Sequence, residues 1–156
     1  MAFRGVRSKD VVVGIAASGR TPFVHGALAE ARQRKAATVL LTFNPGLKSV
    51  PGEPPDILIA VNVGPEILTG STRLKAGTAT KMILNMFTTL SMVKLGKVVG
   101  NLMIDLNPSN IKLRDRAVRI LCELTAASPQ EAHAALQSRG WIVADAFKML
   151  GRKRAT

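Results

Sequence analysis

Residues 10–28, DVVVGIAASGRTPFVHGAL, decide how the chain is read. Five of the first seven are Val, Ile or Gly, and the run is apolar on both faces. That composition and length suit a buried parallel strand. Ser18-Gly19 ends the run. Thr21 stands where a helix cap belongs, and Pro22 fits the first helical turn, where its missing N–H costs nothing. A strand, a tight turn and a helix are therefore predicted in direct succession.

The turn raises a chemical question. Gly14 and Gly19 have the spacing of the phosphate loop G-x-x-x-x-G-K-[ST], and Thr21 is in place, but Arg20 replaces the lysine. A nucleotide hydrolase also needs a carboxylate at another strand tip to hold Mg²⁺. The next two predicted strands end LLTFNP and IAVNVG, without an acid at either tip. An arginine is a poor substitute for a lysine threaded through a tight loop. The pattern argues against a nucleotide hydrolase and leaves two alternatives. One is a simpler anion site, in which the Ser18 and Thr21 hydroxyls and the helix amides converge, Gly19 permits close approach and Arg20 adds charge. The other is an ordinary strand-to-helix turn.

Working outward, 38–43 (TVLLTF) and 56–63 (DILIAVNV) read as two further strands, with LKSVPGEPP between them as loop. Strand, helix, strand, strand at this spacing predicts an α/β layer with a parallel sheet. Residues 69–96 read as one long helix capped by Ser71 or Thr72 and closed by Gly96. Met82, Ile83, Met86, Phe87 and Leu90 recur on it at three- and four-residue steps, which predicts a core-facing stripe. Just before that helix, Glu66, Ser71, Thr72, Arg73 and Lys75 should open on the same sheet edge as Ser18. A carboxylate beside hydroxyls and cations suits a sugar phosphate. Glu66 read alone also fits a loop acid or a first-turn helix charge.

Beyond GNLMIDLNPSN the composition changes. Helices are predicted over 110–126, from the capping box Ser128-Pro129-Gln130-Glu131 onward, and within WIVADAFKML after Gly140. They make a small three-helix module with Trp141 and Phe147 in its core and a frayed basic tail, GRKRAT. The domain boundary is placed between 106 and 107.

Composition bounds the rest. The chain has 156 residues, of which 47% are hydrophobic, enough for a packed core. Aromatics are 4% with no Tyr, and the net charge is +12. Such a charge favours phosphorylated ligands or polyanions. The basic residues are scattered and not interleaved with stacking aromatics, so no specific nucleic-acid partner is expected. Cys122 is the single cysteine, so it forms no internal disulfide. It reads as a packed helical thiol. His25 and His133 lack ligand spacing, so no metal and no cofactor is expected. No apolar run spans a membrane, and the polar N-terminus lacks a secretory pattern, so a cytoplasmic protein without membrane partners is expected.

Three segments carry a resemblance: DVVVGIAASGRTPFVHGAL, VGPEILTGSTRLKAGTATKMILNM and GKVVGNLMIDLNPSNIKL. Together they resemble the N-acetylmuramic acid 6-phosphate etherase family, in register from about Asp10 to Leu150. The resemblance implies the sugar isomerase (SIS) fold, shared with the glucokinase regulatory protein. That fold is a parallel-sheet, flavodoxin-like three-layer sandwich, here incomplete and followed by a ubiquitin-associated-like helix trio. It implies cleavage of the D-lactyl ether of N-acetylmuramic acid 6-phosphate to N-acetylglucosamine 6-phosphate and D-lactate, by elimination and then water addition, without a metal. It places Ser18, Gly19, Arg20 and Thr21 at the phosphate and Glu66, Ser71, Thr72 and Lys75 beside the sugar.

Family members are roughly twice as long. Both of their catalytic glutamates lie in the half with no counterpart in this sequence, so no catalytic residue is expected here. None of the acids present, Glu30, Glu53 and Asp105 among them, takes that role by correspondence. The sequence is therefore expected to be a C-terminal fragment or split form that pairs with a companion N-terminal half or forms a homodimer. The alternative is a non-catalytic sugar-phosphate-binding regulator of the same fold.

Overall fold

The computed structural model describes residues 5–47, 49–50 and 52–151. Lys48 and Pro51 of the LKSVPGEPP loop, and residues 152–156 of the basic tail, lie outside the described residues. In chain order the elements are β1 (Val11–Ile15), α1 (Pro22–Gln33), β2 (Ala37–Thr42), β3 (Ile57–Ala60), α2 (Lys75–Lys94), β4 (Val98–Val99), β5 (Leu102–Met103), α3 (Ile111–Leu124), α4 (Pro129–Ser138) and α5 (Val143–Leu150). The architecture is α/β, and the chain divides into two compact units, Met1–Leu84 and Asn85–Thr156.

The first unit is built on a three-stranded parallel sheet in the order β1-β2-β3. Val11 pairs with Ala37 and Ile15 with Leu41, while Val39 pairs with Ile57 and Thr42 with Ala60. β2 is the central strand and is buried from Thr38 to Thr42. β1 lies at one edge, with Val11 61% exposed, and β3 at the other, with Ile57 55% exposed. At the start of β3, the Asp56 carboxylate accepts from both the Thr38 N–H and the Thr38 hydroxyl, each at 2.7 Å. These bonds hold its carboxyl below the usual carboxylate range. They lock the register of β2 against β3.

Ala16, Leu28 and Leu40 form the core between α1 and the sheet, with Val24 packed against them. Gly14 sits inside β1, opposite Leu40. A Cβ there would stand 2.6 Å from Val24 Cγ1. Gly14 is therefore a packing glycine, which lets α1 lie close to the sheet. It is not part of a phosphate loop, and this removes the apparent nucleotide motif. Thr21 is the N-cap of α1 as its position predicts, but its side chain makes no capping hydrogen bond.

α2 corrects two expectations. It begins at Lys75, so neither Ser71 nor Thr72 caps it. The Glu66 carboxylate does so from nine residues upstream, as described below. The apolar stripe is not fully buried core either: Met82, Met86 and Leu90 are each more than half exposed, and Ile83 and Phe87 are half-buried. Among the described residues of α2 only Ala76 is buried. The predicted end does hold. Gly96, at φ 72°, closes the helix with Gly96 N–H donating to the Val93 carbonyl and Lys97 N–H to that of Met92, the paired bonds of a Schellman motif.

The second unit contains a feature absent from the sequence reading. β4 and β5 form a short antiparallel hairpin about Gly100-Asn101, with Gly100 at φ 60°. The helix trio then follows. Asn110 caps α3 by accepting from Leu113 N–H at 2.9 Å. Ser128 and Glu131 form the predicted capping box on α4. Ala117, Ile120, Leu121, Leu136, Val143 and Ala146 form the buried core, with Trp141, Phe147 and Cys122 packed against it. Among the described residues no helix is long and apolar enough to cross a membrane.

Candidate functional site

Three parallel strands end on the same side of the first unit, and their outgoing loops enclose a cavity of about 230 Å³. Its wall includes Ala17 and Ser18 after β1, Phe43 after β2, Val63 and Gly64 after β3, and Glu66, Ser71 and Thr72 before α2. Ligands of open α/β sheets bind beyond the carboxyl ends of the strands, and this cavity has that location. Four of the eight sequence-predicted residues, Ser18, Glu66, Ser71 and Thr72, are thereby brought together. Gly19, Arg20, Thr21 and Lys75 lie outside the cavity wall, next to it in the chain.

Glu66 is the only acid in the wall. Its Oε2 accepts from the Lys75 N–H at 3.0 Å and its Oε1 from the Ala76 N–H at 3.1 Å. The carboxylate thus satisfies two of the amides that a helix start leaves unpaired. These two bonds, Lys75 first, hold its carboxyl below the usual range. Glu66 is therefore charged at neutral pH and a weak proton acceptor. The Lys75 ammonium donates to the Pro65 carbonyl at 2.8 Å, tying the same loop from the other side.

The loop after β1 is held by residues the sequence reading passed over. The Thr42 hydroxyl and the Phe43 N–H both donate to the Ala17 carbonyl, at 3.1 and 3.0 Å. Asn44 Nδ2 donates to the Ser18 carbonyl at 3.3 Å. His25 Nε2 lies 2.9 Å from the Gly19 carbonyl. A carbonyl only accepts, so His25 carries its proton on Nε2. Within the loop, Arg20 N–H donates to Ser18 Oγ at 3.3 Å, and Gly19 N–H to the Ala16 carbonyl at 2.8 Å. Gly19 has φ 73°, and a Cβ there would lie 2.7 Å from Leu47 Cδ2, so both backbone and space require glycine. The signal for Asn44 was in the sequence: it is the first residue after the strand predicted over 38–43, a polar side chain at a strand tip.

The remaining acids named from sequence are committed elsewhere. Glu30 pairs with Arg34 at 2.7 Å, Glu53 with Arg32 at 3.2 Å, and Asp105 with Lys97. Among the described residues no group of three or more His, Cys, Asp or Glu gathers to hold a metal.

In class, then, the first unit is an α/β layer with a small cavity on the carboxyl edge of its parallel sheet, its wall made of apolar residues, the hydroxyl-bearing residues Ser18, Ser71 and Thr72, and one fixed carboxylate. No family model matches the chain. Curated relatives do. The chain is similar to N-acetylmuramic acid 6-phosphate etherases: that of Rubrobacter xylanophilus is 54% identical over 137 residues, 86% of this chain and 44% of the relative. The protein of that name from Jannaschia sp. is 55% identical over 139 residues, 88% of this chain and 43% of the relative. The one from Cronobacter sakazakii is 49% identical over 146 residues, 94% of this chain and 48% of the relative. The chain spans about half the length of the curated relatives it matches, and the matching part is their C-terminal half.

Proposed function

We propose that this chain is the sugar-phosphate-binding half of an N-acetylmuramic acid 6-phosphate etherase-type protein of the sugar isomerase fold. The whole protein cleaves the D-lactyl ether of its substrate by elimination followed by water addition, giving N-acetylglucosamine 6-phosphate and D-lactate in the cytoplasm. One observation carries the reading. In a chain about half identical to etherases over nearly all its length, the Ser18 loop and the Glu66–Thr72 loop converge on one cavity. In this reading the phosphate lies against Ser18, Gly19, Arg20 and Thr21, while the sugar faces Glu66, Ser71, Thr72 and Lys75. The sugar-binding domain runs over 1–106 and the helical module over 107–156.

Proton transfer belongs to the other half of the enzyme, whether that half precedes this segment in one chain or is supplied separately. Elimination needs a base and an acid within reach of the reacting atoms. Glu66 is the only acid in the cavity wall, and its engagement by two amides makes it a poor base. A companion half or a second copy is further supported by the exposed edge of β1 and by the exposed apolar side chains of α2.

The test is direct. N-acetylglucosamine 6-phosphate should raise the melting temperature of this chain, and Ser18→Ala should abolish the rise. N-acetylmuramic acid 6-phosphate should release no D-lactate with this chain alone; turnover at ordinary enzyme rates would refute the division of labour. A non-catalytic sugar-phosphate-binding regulator is the second reading, favoured by the lone carboxylate in the cavity. It predicts the same thermal shift, with no D-lactate released even when an etherase N-terminal half is added.

A further inference from the structure

Three consecutive carbonyl groups of the Ser18 loop are each taken up by donors from neighbouring elements. Ala17 O accepts from the Thr42 hydroxyl and Phe43 N–H beyond β2, Ser18 O from Asn44 Nδ2, and Gly19 O from His25 Nε2 on α1. A carbonyl oxygen carries partial negative charge, so any carbonyl left facing an anion would repel it. A carbonyl bonded to Thr42, Asn44 or His25 is directed at that group. The Gly19 and Arg20 amides are taken up as well, by the Ala16 carbonyl and Ser18 Oγ, so the Ser18 hydroxyl proton is the loop donor that these bonds leave for a ligand.

We propose that His25, Thr42 and Asn44 are positioning residues that turn the Ala17, Ser18 and Gly19 carbonyls away from a bound phosphate, and so set the Ser18 loop's preference for an anion. The inference rests on the phosphate-loop reading above and adds the residues that enforce it. None of the three needs to touch the ligand. His25 donates from α1, while Thr42 and Asn44 donate from the end of β2 and are joined to each other by the Asn44 N–H on the Thr42 hydroxyl, so loss of His25 leaves the other two in place. The turn at Gly19 is fixed independently by its positive φ and by Leu47, so single variants should leave the fold intact.

The discriminating feature is donor chemistry at fixed shape. A glutamine at 25 places an amide N–H near the position of Nε2, whereas leucine fills the space and donates nothing. Asp at 44 keeps the shape of Asn and loses the donor but also adds a charge that repels an anion, so its weakening counts only alongside that of His25→Leu and Thr42→Val, which add none. Val at 42 keeps the shape of Thr and loses the hydroxyl. Each net hydrogen bond is modest, so each donor-deleted variant should weaken affinity by roughly three- to tenfold.

The experiment titrates N-acetylglucosamine 6-phosphate and, separately, inorganic phosphate into wild type, His25→Leu, His25→Gln, Thr42→Val and Asn44→Asp. Circular dichroism checks the fold, and amide hydrogen exchange at Gly19 reads the loop. The expected result is weaker binding of both ligands in His25→Leu, Thr42→Val and Asn44→Asp, faster Gly19 exchange, and recovery of both by His25→Gln. Unchanged affinity in the donor-deleted variants, with wild type and not Ser18→Ala binding, would overturn the positioning role and leave the phosphate loop standing. Wild type that binds neither ligand would overturn the phosphate-loop reading and this inference with it. Binding lost in His25→Leu and His25→Gln alike would also overturn it, because side-chain shape and not donation would then be at work.

Discussion

The helix trio and the parallel sheet use similar apolar material to opposite ends. The trio closes on itself: Leu121, Leu136 and Ala146 are fully buried, and residues from all three helices share one core. The sheet unit buries its central strand and a thin layer under α1, with Ala16, Leu28 and Ala31. β2 is covered from Thr38 to Thr42, while Val11 on β1 and Ile57 on β3 face outward. On α2, Met82, Met86 and Leu90 are each more than half exposed. A region with its own core tolerates change at its surface and fails at its centre. An open layer should take its remaining stability from whatever covers it, since an uncovered strand edge with apolar neighbours invites pairing.

Replacing Leu136, 0% exposed, by Ala tests the closed region hardest. The substitution removes buried side chain and leaves a cavity, at a cost of about 2–5 kcal/mol. Trp141, the chain's single tryptophan, packs on that core and reports its unfolding by fluorescence. Leu90→Ala on exposed α2 should cost the isolated chain no more than about 0.5 kcal/mol. Equal losses at Leu136 and Leu90 in a monomer would erase the contrast. A Leu90 effect that emerges only when a second copy or an etherase N-terminal half is present would sharpen it.

The sheet unit has its own vulnerable point, of a different kind. Gly14→Ala forces a Cβ toward Val24 Cγ1, which it would meet at 2.6 Å. Such overpacking costs typically ~1–3 kcal/mol. Val24→Ala in the same chain should recover part of the loss, and a non-additive double-mutant cycle would confirm that the two side chains compete for one space. If Gly14→Ala instead spares stability and abolishes sugar-phosphate binding, Gly14 belongs to the ligand loop after all.

What the sequence revealed follows the same division. The capping box at Ser128–Glu131, the turn at Gly140 and the closure at Gly96 are local chemistry, and each is where the residues put it. The parallel strands were legible because apolar runs between turns have few other uses. The stripe on α2 was misread because periodicity identifies an apolar face without saying whether anything in the same chain covers it. The cap of α2 was misread for a related reason. Glu66 reaches the helix start from nine residues away, whereas capping patterns look one to three residues ahead. The β4–β5 hairpin was missed because its strands are two residues each, too short for alternation to register. At the site, hydroxyls and the carboxylate were found by type. Thr42, Asn44 and His25 were not, since their part depends on carbonyls that no sequence pattern displays.

Capping chemistry gives a third, smaller test. Ser128→Ala removes the hydroxyl that accepts from Glu131 N–H and donates to the Glu131 carboxylate, and leaves the backbone N–H of residue 128 on that carboxylate. The expected cost is about 1 kcal/mol, visible as earlier unfolding of the trio by Trp141 fluorescence. The sheet unit, followed by amide exchange at the buried β2 residues Val39 to Leu41, should be unaffected. If β2 exchange accelerates equally, the two regions do not unfold separately and their comparison loses its basis.

The smallest effect is the most specific, because one carboxylate of the same kind serves each region. Glu66 caps α2 from a distant loop, and Glu131 caps α4 from within its own first turn. Hydrogen bonds hold both carboxyls below their ordinary values in the folded chain: to the Lys75 and Ala76 amides for Glu66, and to the Ser128 amide and hydroxyl for Glu131. A carboxyl depressed by folding contributes stability above its unfolded pKa and loses it as pH falls through the folded value. Both contributions should therefore be intact at neutral pH and fade below about pH 4.5. Glu131→Gln should flatten that acid response in the Trp141 signal and leave β2 exchange as it was, while Glu66→Gln should do the reverse. Glu66 carries one further consequence that Glu131 does not. Glu66 itself and Ala76, one of the two residues whose amides it holds, line the cavity, so its protonation should weaken sugar-phosphate binding over the same pH range in which α2 loosens. Binding that stays level down to pH 4 while the α2 amides begin to exchange would separate the cap from the site and leave Glu66 a purely structural residue.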